Sequence, residues 1–373
     1  MKEMEDRESL LFHAIALSQV NFLSRAALRK LVAAYGSAKS VFEAAGRQDS
    51  VPPMEPSLAR QLLSVRTELF RKTESEMAFL RQAEARAFMP DEEGYPYRLA
   101  QCSDAPIVLF GRGRLPLNRP RQLAVVGTRH PTAYGLKLAR RTVEALALCR
   151  PVVVSGLASG VDGAAHEAAL KSGLPTVGVL GHGLKSLFPA EHRNLLERML
   201  ERGGVVTEYV SDVPPLPQHF PPRNRIIAGL SDAVVVVEAR RRSGALITAN
   251  LGFSYNREVF AFPGRLGDPY SEGCNNLIRR NKAALLMQAQ DVADALLWGV
   301  ERREQAPPSL AIPFDLTEQE RKVYEAIVAN DAPDADTLML LTGLSVPELS
   351  AVLLALECKS VVRCVAGQRY RQV

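Results

Sequence analysis

The sequence predicts an α/β fold: a doubly wound parallel sheet preceded by a small helical domain and followed by a winged helix. Three observations carry this reading. Six short apolar, β-branched runs recur between residues 123 and 262. They are apolar throughout rather than alternating, as strands covered on both faces are. Helical stretches separate most of them, with Gly, Ser and Thr gathered after the runs, which is the order of a Rossmann-type sheet.

Length and composition agree with several globular domains. The chain has 373 residues, 47% hydrophobic and 23% charged, which disfavours disorder, collagen and coiled coil. At roughly 100–200 residues per domain, two or three domains are expected. No apolar run approaches the ~20 residues of a membrane span, and MKEMEDRESL lacks the apolar centre of a secretion signal. The five cysteines (Cys102, Cys149, Cys274, Cys358, Cys364) are scattered with no CxxC pair, so a reduced, cytoplasmic protein is expected. The net charge is +5. Residues 1–89 hold 13 Lys and Arg against 11 Asp and Glu, residues 90–314 hold 27 against 21, and residues 315–373 hold 6 against 9. A polyanionic partner would therefore meet the middle segment.

Residues 1–88 read as helical. Leu10, Leu11, Ala14, Ile15 and Leu17 fall at helical spacing, as do Ala27, Leu28, Leu31 and Val32. Gly36 is a helix stop, and Ser37 caps a further helix carrying Val41 and Phe42. SVPPMEP (50–56) is a linker, and a helix is expected over Ser57 to Ala87. Small helices around a Gly turn indicate a SAM-like or helix-hairpin-helix domain, serving either a nucleic-acid backbone or plain docking.

Residues 89–300 form the sheet domain. Strands are expected at Leu123–Val126, Val152–Val154, Thr176–Leu180, Val205–Thr207, Ala233–Val237 and Val259–Phe262. Helices are expected at Ala133–Leu148, Asp162–Lys171, Glu191–Arg202 and Ala245–Tyr255. Residues 301–314 are a linker containing ERREQAPPS. In residues 315–373, Thr317 and Glu320 form a capping box. Helices at Ala335–Thr342 and Ser345–Glu357 follow, then strands at Ser360–Val365 and Arg369–Val373 around a turn at Gly367. A DNA-reading winged helix should be basic, and this one is acidic, so a protein-contact or regulatory role is expected.

Ligands of an open parallel sheet sit beyond the C-terminal strand ends. There the chain places Gly127-Thr128-Arg129, Ser155-Gly156 with LASGVDGAAH, Gly181-His182-Gly183, Glu208-Tyr209, and Glu238 with RRRSGALITA. Gly lets a backbone approach closely, and helix N-termini attract anions. Arg129 adds a fixed-charge fork suited to phosphate. In LPQHFPPRNRIIAGLSDA (216–233), Phe220 lies beside Arg223, Asn224 and Arg225. An aromatic near two guanidinium groups in a rigid loop suits a stacked base with clamped phosphates. Equally, Phe220 could plug the sheet edge while the arginines pair with Asp232 or Glu208. Arg240-Arg241-Arg242 reads most simply as a solvated turn, though it adjoins the Ser243-Gly244 loop and could serve the same groove.

Sharper enzymatic readings fail. There is no G-x-x-x-x-G-K-[ST]. The G-x-G-x-x-G begun at Gly181 meets Ser186 and Pro189. Ser159 is one place late for G-x-S-x-G. Asp162 and His166 at i,i+4 are read as bracing their own helix rather than activating Ser155, and the six histidines lack metal-ligand spacing.

At these loops the sequence resembles the DNA-processing protein A (DprA, also called Smf) family of bacteria. The matching motifs are GTRHPTAYG (127–135), SGLASGVDGAAHEAAL (155–170), VLGHGL (179–184), FPPRNRIIAGLSDAVVVVEA (220–239), SGALITA (243–249), REVFAFPG (257–264) and SEGCNNLIRRNKAALL (271–286). GYPYRLAQCSDAPIVLFGRGRL (94–115) is similar to the family's lead-in. The resemblance spans about residues 90–290. It implies an extended Rossmann-like domain that binds single-stranded DNA, protects it during natural transformation and loads the RecA recombinase. It implies no catalysis and no cofactor or metal, and it implies a homodimer; the apolar run at Ala283–Met287 is read either as a contact for it or as the plain edge of the last strand. The implied DNA groove runs through Gly127, Thr128, Arg129, Ser155, Gly156, Gly160, Phe220, Arg223, Asn224, Arg225, Ser243 and Gly244, and it turns the reading of Phe220 towards base stacking.

Two departures stand out. GLKSLFP replaces the family's GLD-x-x-YP, so Lys185 stands for an acid, as a possible phosphate contact, and Phe188 for a tyrosine. Pro217-Gln218 occupies a place where the family often has a basic residue, a contact Arg193 could supply. The rival class is a Rossmann-type enzyme that binds nucleotides or cleaves nucleoside monophosphates. SGALITAN lacks the Glu that those enzymes carry in a PGG-x-GT-x-x-E loop.

Overall fold

A computed structural model of the chain describes residues 2–47, 54–90, 92–299, 316–330, 332–365 and 368–372. Four helices come first: α1 Lys2–Ser18, α2 Arg25–Tyr35, α3 Ala38–Arg47 and α4 Pro56–Gln82. As expected, α2 stops at Gly36, and the Ser37 hydroxyl accepts the Ser40 N–H at the start of α3. The expected linker at 50–56 lies mostly outside the described residues. Leu28, Leu31, Val41, Phe42 and Leu62 share one core with Ile107, Val108 and Phe110, so the helical lobe is packed onto the sheet rather than tethered to it.

The helix expected to reach Ala87 ends at Gln82, because Glu84 takes a left-handed conformation at φ 50°. The chain then enters the sheet domain with β1 Arg86–Phe88, α5 Tyr97–Ala100, β2 Leu109–Gly113, β3 Gln122–Val126, α6 Ala133–Ala145, β4 Val152–Ser155 and α7 Val161–Lys171. It continues through β5 Thr176–Val179, α8 Arg193–Arg202, β6 Gly204–Thr207, α9 Phe220–Leu230, β7 Ala233–Val236, α10 Gly244–Ser254, β8 Glu258–Ala261, α11 Glu272–Arg279, β9 Ala284–Leu285 and α12 Ala289–Ala295.

The nine strands lie in the order β1-β2-β6-β5-β4-β3-β7-β8-β9. From β6 to β9 every pairing is parallel; β1 and β2 extend the β6 side antiparallel. All six expected strands are present. The β1–β2 extension was not foreseen, and β9 falls within the apolar run at Ala283–Met287, at the sheet edge. Both faces are apolar because successive residues alternate between two cores. Val126, Val154, Val179 and Val236 pack with residues of α9 and α10. Val125, Val153, Val235 and Phe260 pack with residues of α6, α7 and α12.

The remaining elements are α13 Glu318–Ala329, α14 Ala335–Thr342, α15 Val346–Cys358, β10 Val362–Val365 and β11 Arg369–Gln372, the winged helix expected from the sequence. Thr317 with Glu320 and Ser345 with Glu348 form capping boxes. Val323, Ile327, Leu338, Leu349 and Leu356 give the unit its own core. The expected linker at 301–314 and the turn at Gly367 lie outside the described residues. Arg369 touches the sheet domain, donating to the Tyr97 hydroxyl at 3.0 Å and lying over its ring. Among the described residues no single helix is long and apolar enough to cross a membrane.

Candidate nucleic-acid interface

The parallel part of the sheet starts in its middle. The chain runs outward from β3 through β4, β5 and β6, then returns to place β7 on the other side of β3. Loops leaving β3 and β7 therefore diverge and open a crevice at the C-terminal strand ends. A cleft of about 640 Å³ lies there. Its walls include Gly127, Thr128, Arg129, Phe220, Arg223, Asn224, Ser243 and Gly244, eight of the residues singled out from the sequence.

The loop after β3 is fixed from two sides. Thr128 N–H donates to the Glu238 carbonyl at 2.8 Å. The Glu238 carboxylate accepts from the Thr132 N–H and hydroxyl at 2.9 and 2.5 Å. Gly160, at φ +86°, lies against the loop from below; a Cβ there would stand 2.5 Å from the Thr128 carbonyl oxygen. This geometry sets the exposed Arg129 guanidinium over the Phe220 ring, 5.2 Å from its centroid. Arg223 lies 5.8 Å from the same ring, and Phe188 leans on it at 5.8 Å between centroids.

Phe220, Arg223 and Arg225 belong to the start of a helix, not to the rigid loop expected. Pro221 and Pro222 occupy the first turn of α9, where a missing N–H costs nothing. Helical geometry then separates the two arginines. Arg223 points under the cleft, donating to the carbonyls of Gly156 (2.7 Å) and Val179. Burial presses its pKa down to about 10, so it remains cationic at neutral pH. Asp162 lies beside it and accepts the Gly156 N–H at 3.1 Å. Burial raises the Asp162 carboxyl above its usual range, while Arg223 pulls the other way. No side chain fits at Gly156: a Cβ would come within 2.7 Å of both groups.

Five of the residues singled out lie outside the cleft wall. Ser155 is fully buried and donates to the Val125 carbonyl at 2.6 Å. Arg225 donates to Glu208 at 2.7 Å, the pairing the sequence left open, while Asp232 pairs with Arg98 instead. Gly156 and Gly160 act from beneath. Lys185 lies over Phe79 of α4 at 5.1 Å and faces the helical lobe. Arg193, at the start of α8, also lies outside the cleft wall. His166 accompanies none of this; its Nδ1 meets the Thr176 hydroxyl at 2.6 Å. Asp162, Phe188 and Arg240 also line the cleft, though the sequence pointed to them only as a helix brace, a departure from the family tyrosine and part of an arginine turn; their place in the loops and helix start that follow β4, β5 and β7 was the available signal.

Ser243 and Gly244 close the far wall at the N-terminus of α10. The Ser243 hydroxyl is buried without a hydrogen-bond partner, and the Gly244 carbonyl accepts Asn224 Nδ2 at 3.1 Å. An aromatic ring, two guanidinium groups and a helix N-terminus thus converge at the switch point of a doubly wound sheet. That arrangement defines a Rossmann-type protein whose cleft joins cationic groups, a helix N-terminus and an aromatic ring.

The chain belongs to the DprA family. The family model of DNA recombination-mediator protein A matches residues 86–297, and that of the DprA winged helix domain matches residues 304–368. Protein Smf of Escherichia coli (strain K12) is 38% identical over 300 residues, 80% of either chain. The DNA processing protein DprA of Bacillus subtilis (strain 168) is 40% identical over 203 residues, 54% of this chain and 68% of its own. Among solved structures, DNA processing protein A of Streptococcus pneumoniae superposes with a TM-score of 0.60 at 33% identity, covering 73% of this chain and 98% of its own. That of Helicobacter pylori, described for its single-stranded DNA binding mode, gives 0.52 at 29% identity, covering 57% and 95%. This chain is accordingly a DNA-processing protein of the recombination-mediator class.

Proposed function

We propose that the cleft binds single-stranded DNA, seating a base on Phe220 and adjacent phosphates on Arg129 and the N-terminus of α10. The bound strand is protected in the cytoplasm during natural transformation and passed to a RecA-type recombinase by a homodimer that turns over no substrate. Gly127, Thr128, Arg223, Asn224, Ser243 and Gly244 complete the contact surface. Ser155, Gly156, Gly160 and Arg225 hold it in shape from beneath, and Lys185 lies apart, towards the helical lobe. The observation that carries the reading is the half-buried Phe220 ring with the Arg129 and Arg223 guanidinium groups beside it, since a ring next to cations accepts any base and its phosphates.

Anisotropy of labelled oligo-dT, titrated at low and moderate salt with duplex competitor, tests it. The expected result is tight binding that salt weakens steeply and duplex does not displace. Arg129→Ala weakens it, and adding Phe220→Ala weakens it further, with stacking worth ~1–3 kcal/mol per base. Unchanged affinity in the double variant overturns the assignment. Release of free base from nucleoside monophosphates would return the cleft to an enzyme.

A further inference from the structure

A second concavity of about 630 Å³ lies on the other side of α10. Pro221, Ser243 and Gly244 line it and the cleft alike. Helix α10 is the wall between them: Ala245 and Thr248 face the cleft, while Leu246, Ile247 and Asn250 face the second basin. Its cationic lining is Arg241, Arg242, Arg280 and Lys282, and it includes no Asp or Glu.

These charges differ from the arginines that brace the fold. Arg25, Arg98 and Arg225 each meet a carboxylate. Among the described residues Arg241, Arg242 and Arg280 are exposed and make no ion pair. Lys282 is steered into the basin by the Asn250 amide oxygen, which accepts its ammonium at 2.8 Å. Like charges gathered in a concave surface repel one another and concentrate a field that a polyanion relieves. The half-exposed Ile247 side chain adds an apolar contact for sugar or base.

The crest between the two sites is bare. A Cβ on Gly244 would meet nothing nearer than Asn224 Nδ2 at 3.7 Å, so a phosphodiester can pass close over the first N–H groups of α10. A helix is about 10 Å across, a gap that a few nucleotides bridge.

We propose that this basin is a second phosphate-binding site for the same single strand, which leaves the cleft over Ser243-Gly244 and descends between α10 and α11 towards the β9 edge. The proposal rests on the single-strand reading of the cleft. It gives the protein a footprint longer than the cleft alone, with sequence-independent anchoring beyond the stacked base.

The test compares full-length protein with the Arg241→Ala/Arg242→Ala/Arg280→Ala variant on oligo-dT of about 5 and about 20 nucleotides, bracketing the site sizes of single-strand grooves. The three side chains are exposed and unpaired, so the fold is expected to survive. Circular dichroism checks this, and Arg280→Gln with Arg242→Gln is the milder alternative. The long strand is expected to bind on the order of tenfold more weakly, with the salt slope reduced by about 2, at about 0.7 per lost phosphate contact. The short strand binds the variant as it binds wild type. Unchanged long-strand binding overturns the second site while leaving the cleft intact. Equal losses on both lengths also overturn it, because they reveal only a general field. If wild type binds neither length, the cleft reading itself falls, and this inference with it.

Discussion

Gly160 shows how a residue outside the cleft wall governs what the wall presents. A Cβ at this position would stand 2.5 Å from the Thr128 carbonyl oxygen and 2.7 Å from that of Arg129, so Gly160→Ala must displace the loop that carries Arg129. Its φ of 86° with ψ of −126° lies in a region that side chains rarely enter, adding strain of ~1–3 kcal/mol. The expected outcome is a folded protein by circular dichroism with weakened oligo-dT binding; retained affinity would show that the loop's position is immaterial. His166 has a different consequence. The Thr176 hydroxyl donates its one proton to the Val153 carbonyl, so His166 Nδ1 must be the donor to Thr176, leaving Nε2 bare and buried. Burial lowers its pKa from 6.5 to about 3. The unfolded chain therefore takes up a proton near pH 6.5 that the folded chain refuses. Stability is complete above that pH and falls as pH drops, by up to about 1.4 kcal/mol per unit. Urea midpoints measured from about pH 7 down to about pH 5 should fall less in His166→Asn, whose amide retains a donor for Thr176 and has no titrating group.

At the scale of elements, α15 departs from what a DNA-reading helix needs. Its sequence VPELSAVLLALEC has no Lys or Arg, and Val346 and Leu354 are exposed on it. A chain ending at Gly299 is therefore expected to bind oligo-dT as the full chain does, by the same anisotropy titration; a loss would move DNA contacts into the winged helix. The central strands were legible because burial on both faces demands uninterrupted Val, Leu and Ala, a pattern that other elements rarely show. β1 and β2 escaped notice because RAF and LFGRG are short and interrupted by Arg or Gly, and because β2 depends on pairing with β6 and β1 on pairing with β2. The cleft was legible where chemistry follows a strand directly, as at Gly127-Thr128-Arg129. Ser155 ends a strand in the same way and Arg225 follows an aromatic in a polar segment, yet their partners Val125 and Glu208 are brought in by the sheet. Residue type alone does not distinguish a hydroxyl or guanidinium that faces solvent from one satisfied within the fold.

Across the whole molecule, one carboxylate ties two lobes together. Glu208, after β6, accepts from Arg25 of α2 and from Arg225 of α9, both at 2.7 Å to the same oxygen. Nearby, Glu76 of α4 accepts the Ser211 N–H at 2.8 Å. The helical lobe is thus bonded to the loop that leads towards Phe220. Glu208→Gln removes the charge from two guanidinium groups and is expected to cost about 3–5 kcal/mol, the range for breaking a buried pair from one side. Urea unfolding measures this. A change near zero would show that the lobes are held by apolar packing alone.

The outward growth of the sheet from β3 has a consequence for assembly. Residues that meet at the cleft are separated by more than a hundred positions, from Gly127 to Thr248, and β7 is added beside β3 only after β4, β5 and β6 have been laid on the opposite side. During synthesis the loops after β3, β4 and β5 can meet the start of α9 first, and the ribosome must release the chain through α10 before Ser243, Gly244 and Thr248 close the far wall. On the reading proposed above, a strand of DNA finds its complete site only on the finished domain. At a hundred times its dissociation constant, a ligand held only by the finished domain stabilises it by about 2.7 kcal/mol, and this is the shift expected of DNA as a selective stabiliser of completed molecules.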